Sequence, residues 1–359
     1  MRITIVGGGN IGTIFAVHCA EKGHEVTIYT SDASIYDTKL NIVDGDGKSI
    51  HEGFIKQATN DPVIAFKDSD MIIVTYPAMM MEKIAEVIFE NAGSNAMIGA
   101  VPGSGGSECA FRKCIERGNI FFGLERVPAI ARLVTKGRTV QSKGYKSELH
   151  IASIPSDAAE KCCSIMEEIF ELPCKPIPNY LNLTLTPSNP ILHTTRLCTI
   201  FRDYHDGVVY PSLPLFYEEW NDASSELLLA CDDEEQSICR AMPEFRLDFV
   251  KALREYYESP TTEAMTKKIS GIKAFKGLTT PSIKVNGGYI PDLHSRYFTA
   301  DFSYGLVIIQ QIAAIAGVKT PHIDFVMDWY KNIAIEKDEF KLSDYGINDL
   351  GDMRALYLT

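Results

Sequence analysis

From Arg2 to Val6 apolar side chains form a short run, and in TIFAVHCAEKGH, from Thr13 to His24, they recur at helical spacing before a second run, HEVTIYT. Short runs bounded by turns predict strands, and the longer period between them predicts a helix. The alternation continues. MIIVTYPA, from Met71 to Ala78, reads as a strand ending in a turn at Pro77; a helix follows from Met81 to Phe89, and NAMIGAVPGSGG holds another strand with a glycine-rich turn. Strands at FFGLERV and ELHIASIP, with a helix from about Asp157 to Phe170, complete the series by residue 185. Strands alternating with helices predict a doubly wound parallel α/β sheet. From Asn189 onward long helical periods replace the apolar strands, so two domains are expected, 1–185 and 186–359.

The junction of the first strand and helix reads Gly7-Gly8-Gly9-Asn10-Ile11-Gly12. This is G-x-G-x-x-G in a strand-to-helix setting: Gly7 permits the tight turn, Gly9 lets backbone approach a pyrophosphate, and Gly12 lets helix lie close to strand. The whole turn, Gly8, Asn10 and Ile11 included, is a candidate cofactor loop. An NAD site often carries an acidic residue at the end of the second strand. Here Thr30 and Ser31 stand there, followed by Asp32. Thr30 and Ser31 suit a 2′-phosphate with Lys39 as counter-charge, while Asp32 remains within reach of a ribose, so the choice stays open between NADP and NAD with a lean to NADP. Pro77, Pro102 and Gly103 lie in turns where the next strands end, at the edge where such sheets bind ligands.

In the second half, Asn189-Pro190 is a helix-start signal, with the asparagine as cap and the proline at the first helical position. His193 then lies in the first turn, and Arg196, three residues on, shares its face. On this local pattern alone His193 is either a packed core histidine or a proton donor. Arg196 near a helix start is a reasonable anchor for an organic acid. The run Asp232-Asp233-Glu234-Glu235 reads as a solvated surface, because adjacent carboxylates on a helix point in different directions. Arg296 and Asp301 sit before and at the start of a buried helix in PDLHSRYFTADFSYGLVIIQQIAAIAG.

Bulk properties narrow the partners. A formal charge of −12 argues against a sequence-independent grip on nucleic acid or anionic lipid, so neither a nucleic-acid nor a membrane partner is expected. The apolar stretch Gly305 to Gly317 is too short for a bilayer and contains two glutamines. No leader-like basic and apolar pattern precedes the first strand. Nine cysteines occur without a C-x-x-C pair, so no metal site is assigned and a reducing cytoplasm is expected.

The order of GGGNIG, MIIVTYPA, VPGSGG, GLERVPAIAR, SNPILH, the FYEEW to DDEEQ stretch, SRYFTADFSYGL and GVKTPHIDFVMDW resembles the opine dehydrogenase family, which includes octopine, nopaline and carboxyethyl-amino-acid dehydrogenases, over nearly the whole chain. The resemblance implies a Rossmann domain joined to an all-helical domain of the 6-phosphogluconate-dehydrogenase C-terminal type. It implies a homodimer, and reductive condensation of an α-keto acid with an amino acid, by imine reduction with NAD(P)H between the two domains. It carries the family's catalytic histidine onto His193 and its aspartate onto Asp301. Arg196 and Arg296 become candidates for the substrate carboxylates, with Arg132 as a third. The chain departs from the family in having Ala300 and Ser303 where an acidic residue and a proline are usual, and Glu125 takes no role. Two alternatives remain: a ketopantoate-reductase-like or other 2-keto-acid reductase, and a dinucleotide-sensing scaffold without chemistry.

Overall fold

The structure is a computed structural model that describes residues 1–186, 188–334 and 340–359. The chain divides into two compact units, Met1–Thr184 together with Met353–Thr359, and Leu185–Asp352. The final stretch therefore departs from the expected domain 186–359. Polar and apolar contacts hold it in the first unit: the Tyr357 hydroxyl donates to Glu108 at 2.9 Å, Ser156 N–H donates to the Thr359 carbonyl at 2.7 Å, and Met353 and Leu356 are buried.

The strands of the first unit are β1 (Arg2–Val6), β2 (Glu25–Tyr29), β3 (Lys39–Val43), β4 (Ser49–Phe54), β5 (Gln57–Thr59), β6 (Met71–Val74), β7 (Met97–Ala100), β8 (Phe121–Leu124), β9 (Ala129–Thr135), β10 (Thr139–Tyr145), β11 (Leu149–Ile154) and β12 (Cys174–Pro176). The main sheet has the order β12-β11-β8-β7-β6-β1-β2-β5 and is parallel from β5 to β8. One wing winds outward from β1 and the other from β6, which puts the reversal of strand order between them, where ligands meet the carboxyl ends of such sheets. Strands β6, β7 and β8 are buried along their length. Strands covered on both faces need continuous apolar runs instead of alternation. Beyond β8 the chain turns back, so β11 is antiparallel to β8.

A second sheet, β4-β3-β10-β9, has no counterpart in the sequence reading. It packs on helix α1 (Asn10–Glu21), which also rests on β1 and β2 and is buried from Gly12 to Cys19. The helix thus lies between two sheets. Its two hairpin turns carry glycines at positive φ, Gly47 at +81° and Gly137 at +76°, the punctuation that marks such turns in a sequence. Helices α2 (Met81–Asn91) and α3 (Ala159–Phe170) each bury one apolar face.

The second unit is built from α4 (Asn189–Ile200), α5 (Asp222–Ala241), α6 (Thr262–Ser270), α7 (Val307–Ala316) and α8 (Pro321–Ile333), with one hairpin, β13 (Ser282–Val285) and β14 (Gly288–Pro291). Helix α7 is preceded by a π-helical turn, Phe302–Leu306, in which Tyr304 leaves helical geometry. Counted from Arg296 to Ala316 this helical stretch is longer than the sequence reading allows, and by length and composition it could cross a membrane. Its side chains Phe298, Phe302, Leu306 and Ile312 are instead buried within the unit.

Candidate active site

In the first unit the glycine loop joins β1 to α1. Gly7 has φ +94°, and a side chain there would meet the Tyr76 ring. A Cβ on Gly12 would lie 1.7 Å from the Gly7 carbonyl, so only glycine lets the helix start against the turn. Gly9 is exposed with nothing within 4 Å of where a Cβ would stand, the open backbone face that a pyrophosphate needs at a helix N-terminus. These three positions fit a dinucleotide. Gly8 does not face outward: it is buried under Tyr36, whose hydroxyl donates to the Gly8 carbonyl at 2.7 Å. Asn10 is likewise occupied, its Oδ1 accepting the Leu133 N–H at 2.7 Å and tying the start of α1 to β9. Ile11 is half-buried beside them.

At the end of β2, Thr30 is buried, and Ser31 and Asp32 are exposed. Lys39 is not the nearby cation, because it pairs with Glu52 at 2.9 Å. Lys136, on the turn between β9 and β10, pairs with Asp32 instead and holds its carboxyl below the usual range. Pro77 follows Tyr76 at the end of β6. Pro102 is exposed, but Gly103 is buried, its carbonyl accepting both the Tyr180 and Ser107 hydroxyls. It is a packing glycine, because a Cβ there would lie 2.6 Å from both Gly123 and Tyr180.

The second unit holds the candidate chemistry. Helix α4 begins with Asn189 and Pro190 as its first helical residues and Ser188 before them, with no side-chain cap. The expected asparagine cap is therefore not made. Proline is tolerated in the first turn because the N–H it lacks would have no intrahelical partner. One turn on, His193 Nδ1 lies 2.7 Å from Asp301 Oδ2, and Nε2 lies 2.7 Å from the Tyr217 hydroxyl. The Tyr297 ring covers the imidazole at 4.4 Å between centroids.

Asp301 reaches His193 because two backbones approach closely. A Cβ on Gly305 would lie 2.7 Å from the Pro190 ring, so the glycine lets the π turn press on the start of α4. Asp301, at the head of that turn, is thereby delivered to the imidazole. With Nδ1–H donating to this carboxylate, Nε2 is the atom that can accept the Tyr217 O–H. Burial, and then the neighbouring Tyr297, push the Tyr217 hydroxyl well up, so it serves as a neutral donor. A reacting group that takes the place of the Tyr217 hydroxyl at Nε2 would exchange a proton with a histidine whose charged form Asp301 stabilises.

Arg196 is not a substrate anchor. It is 1% exposed, and its nitrogens donate to the carbonyls of Leu215, Phe216 and Glu219 and to Ser224 Oγ. Burial lowers its pKa to about 10. Its work is to hold the 215–220 segment against α4, and Tyr217, which the sequence reading passed over, is the product of that anchoring. Nothing local marks Tyr217; only its place in FYEEW connects it to the site. Arg296 is exposed, and among the described residues it has no ion pair.

The acidic run is a second correction. Asp232, Glu234 and Glu235 are buried, and only Asp233 is exposed. Glu234 accepts the N–H groups of His322 and Ile323, both at 2.9 Å, and so satisfies the first turn of α8. Asp232 accepts the Leu253 N–H at 2.9 Å. The carboxylates do point in different directions, but into packed neighbours.

A dinucleotide loop at the switch point of a doubly wound sheet, and a histidine held by an aspartate in a helical unit, define an NAD(P)-dependent oxidoreductase. Known proteins narrow the class. The family described as NAD/NADP octopine/nopaline dehydrogenase, alpha-helical domain, matches residues 176–334, and that of ketopantoate reductase PanE/ApbA matches residues 3–154. Octopine dehydrogenase of Pecten maximus is 26% identical over 92% of this chain and 89% of its own. Opine dehydrogenase of Arthrobacter sp. (strain 1C) is 25% identical over 90% of this chain and 88% of its own. A solved octopine dehydrogenase with NADH and L-arginine aligns at a TM-score of 0.85 and 25% identity, over 98% of this chain and 97% of that one. The chain is thus similar to opine dehydrogenases over nine-tenths of its length, and its helical part matches the octopine/nopaline dehydrogenase family.

Proposed function

We propose that this protein is an NAD(P)H-dependent opine-type dehydrogenase that condenses an α-keto acid, such as pyruvate, with the amino group of an amino acid and reduces the resulting imine. The observation that carries the reading is the 2.7 Å hydrogen bond between His193 and Asp301, on residues predicted from sequence as a proton-transferring pair. Octopine dehydrogenase, the 25% identical neighbour, has been solved with NADH and L-arginine and with NADH and pyruvate.

Attack of the amine on the keto group gives a carbinolamine, which must lose its hydroxyl as water before reduction. Charged His193 gives that oxygen a proton from Nε2, and Asp301 stabilises the imidazolium from which it leaves. Bound at the glycine loop, NAD(P)H supplies the hydride for the imine carbon. The balance is keto acid, amine, NAD(P)H and a proton in, opine, NAD(P)+ and water out. Arg296 is the cation we assign to a substrate carboxylate.

Ser31 and Lys136 are the residues we assign to a 2′-phosphate, which favours NADP. Exchange of Lys136 for alanine is expected to raise KM for NADPH several-fold more than KM for NADH. The reading also expects a cytoplasmic homodimer, measurable in size by light scattering.

The decisive assay supplies NADH or NADPH with a keto acid, an amino acid, or both. Oxidation is expected only with both. Oxidation with the keto acid alone assigns the chain instead to the 2-keto-acid reductases, of the ketopantoate reductase kind that matches its first half.

A further inference from the structure

The first unit carries a second cluster of chemistry-bearing side chains, at the end of α1 away from the glycine loop. His18 and Glu21 are three residues apart near the C-terminus of that helix, hence on one face. His51 comes from β4. Gly53 explains its arrival: a Cβ there would lie 2.6 Å from the Val17 carbonyl and 2.9 Å from Ala20, so the strand rests directly on the helix backbone at the glycine. His51, two residues earlier, points to the same side of the strand and so falls over His18 and Glu21.

The ligand atoms of the three side chains lie within 4.8 Å of one another. His51 Nδ1 is 2.8 Å from Glu21 Oε2, and His18 Nδ1 is 3.9 Å from the same oxygen, too far for a hydrogen bond. His18 is 4% exposed, and its other nitrogen, Nε2, is held by the Tyr145 hydroxyl at 2.8 Å. One nitrogen tied to an oxygen while the other turns toward further donors is how metal-binding histidines are oriented. The neighbouring Lys22 ammonium is paired with Glu171 at 2.5 Å.

We propose that His18, Glu21 and His51 form a binding site for a divalent transition-metal ion of the zinc type, distinct from the dinucleotide loop. Two imidazoles and one carboxylate favour zinc over the hard cations calcium and magnesium, which take oxygen ligands. Tetrahedral bonds to zinc put donor atoms about 3.3 Å apart. From the present spacing the 2.8 Å His51–Glu21 pair opens and the 3.9 Å His18–Glu21 pair closes, by movement of the Glu21 and His51 side chains, which are 36% and 31% exposed. The open side leaves the fourth position to water. A bound ion would pin β4, and with it the second sheet, to the far end of the helix that begins at the glycine loop.

The test uses the full chain stripped of metal with a chelator and titrated with zinc against a chromogenic competitor. One equivalent is expected to bind and to raise the melting temperature. His51→Ala and Glu21→Gln replace partly exposed side chains, so both variants keep the fold, which circular dichroism checks. Each is expected to weaken that equivalent by about tenfold or more and to abolish the melting shift. Cobalt in place of zinc is expected to give the visible spectrum of nitrogen and oxygen ligation without a thiolate charge-transfer band, which excludes nearby Cys19. Absence of tight binding in the parent protein, undiminished binding in either variant, or a thiolate band overturns the proposal.

Discussion

His193 shows what one residue needs from its neighbours before it can act. Its Nδ1 is committed to Asp301 and its Nε2 to Tyr217, so ring orientation and tautomer are both set by partners far away in sequence. Asp301→Asn keeps the shape but removes the charge that stabilises imidazolium, and kcat/KM is expected to fall by about 10²–10⁴-fold. NADH affinity, measured by fluorescence titration, should stay at the parent value; a joint loss of both would point to misfolding and not to lost proton transfer. Arg196 calls for a different kind of measurement. Lysine cannot reproduce its fork of bonds to three carbonyls and a hydroxyl, so Arg196→Lys is expected to cost about 2–4 kcal/mol in urea unfolding and to lower activity through displaced Tyr217.

At the scale of elements, the site depends on the contact between Pro190 and Gly305. Gly305→Ala would force a methyl against the proline ring and push the π turn off α4, at a cost of about 1–3 kcal/mol. Because Asp301 heads that turn, activity is expected to fall further than the loss of folded protein explains; unchanged kcat in folded material would refute the positioning role. This contact also marks the limit of what sequence made legible. The parallel strands could be read because burial on both faces leaves unbroken apolar runs, and the glycine loop because its spacing is a backbone requirement. The second sheet is not legible in this way, since its strands are half-exposed and carry no unbroken apolar run, with only the glycine hairpin turns to announce them. The pairing of His193 with Asp301 came from family likeness, while Tyr217 and the true work of Arg196 depend on long-range packing that no local pattern encodes. Charge misled most at Asp232 to Glu235, where three of the four carboxylates are buried and Glu234 caps α8 from inside.

Across the whole molecule, those buried acids give stability a pH dependence of unusual sign. Burial raises the Asp232 carboxyl to about 7, and it pushes Glu108 and Glu235 upward as well. An unfolded chain releases the Asp232 proton near its ordinary pKa of about 3.9, whereas the folded chain keeps it until about 7. The folded state therefore binds more protons over that window, so the contribution of Asp232 is fully present below pH about 4 and is lost as pH rises to about 7. Asp232→Asn retains an oxygen for the Leu253 N–H and removes the titration. Comparing the variant with the parent cancels the ionisable groups remote from Asp232. The melting temperature of the variant relative to the parent is expected to climb from pH 5 to pH 8, reaching a gain of about 2 kcal/mol in unfolding free energy at the alkaline end. Parallel melting curves across that range would mean that Asp232 is already ionised in the folded protein.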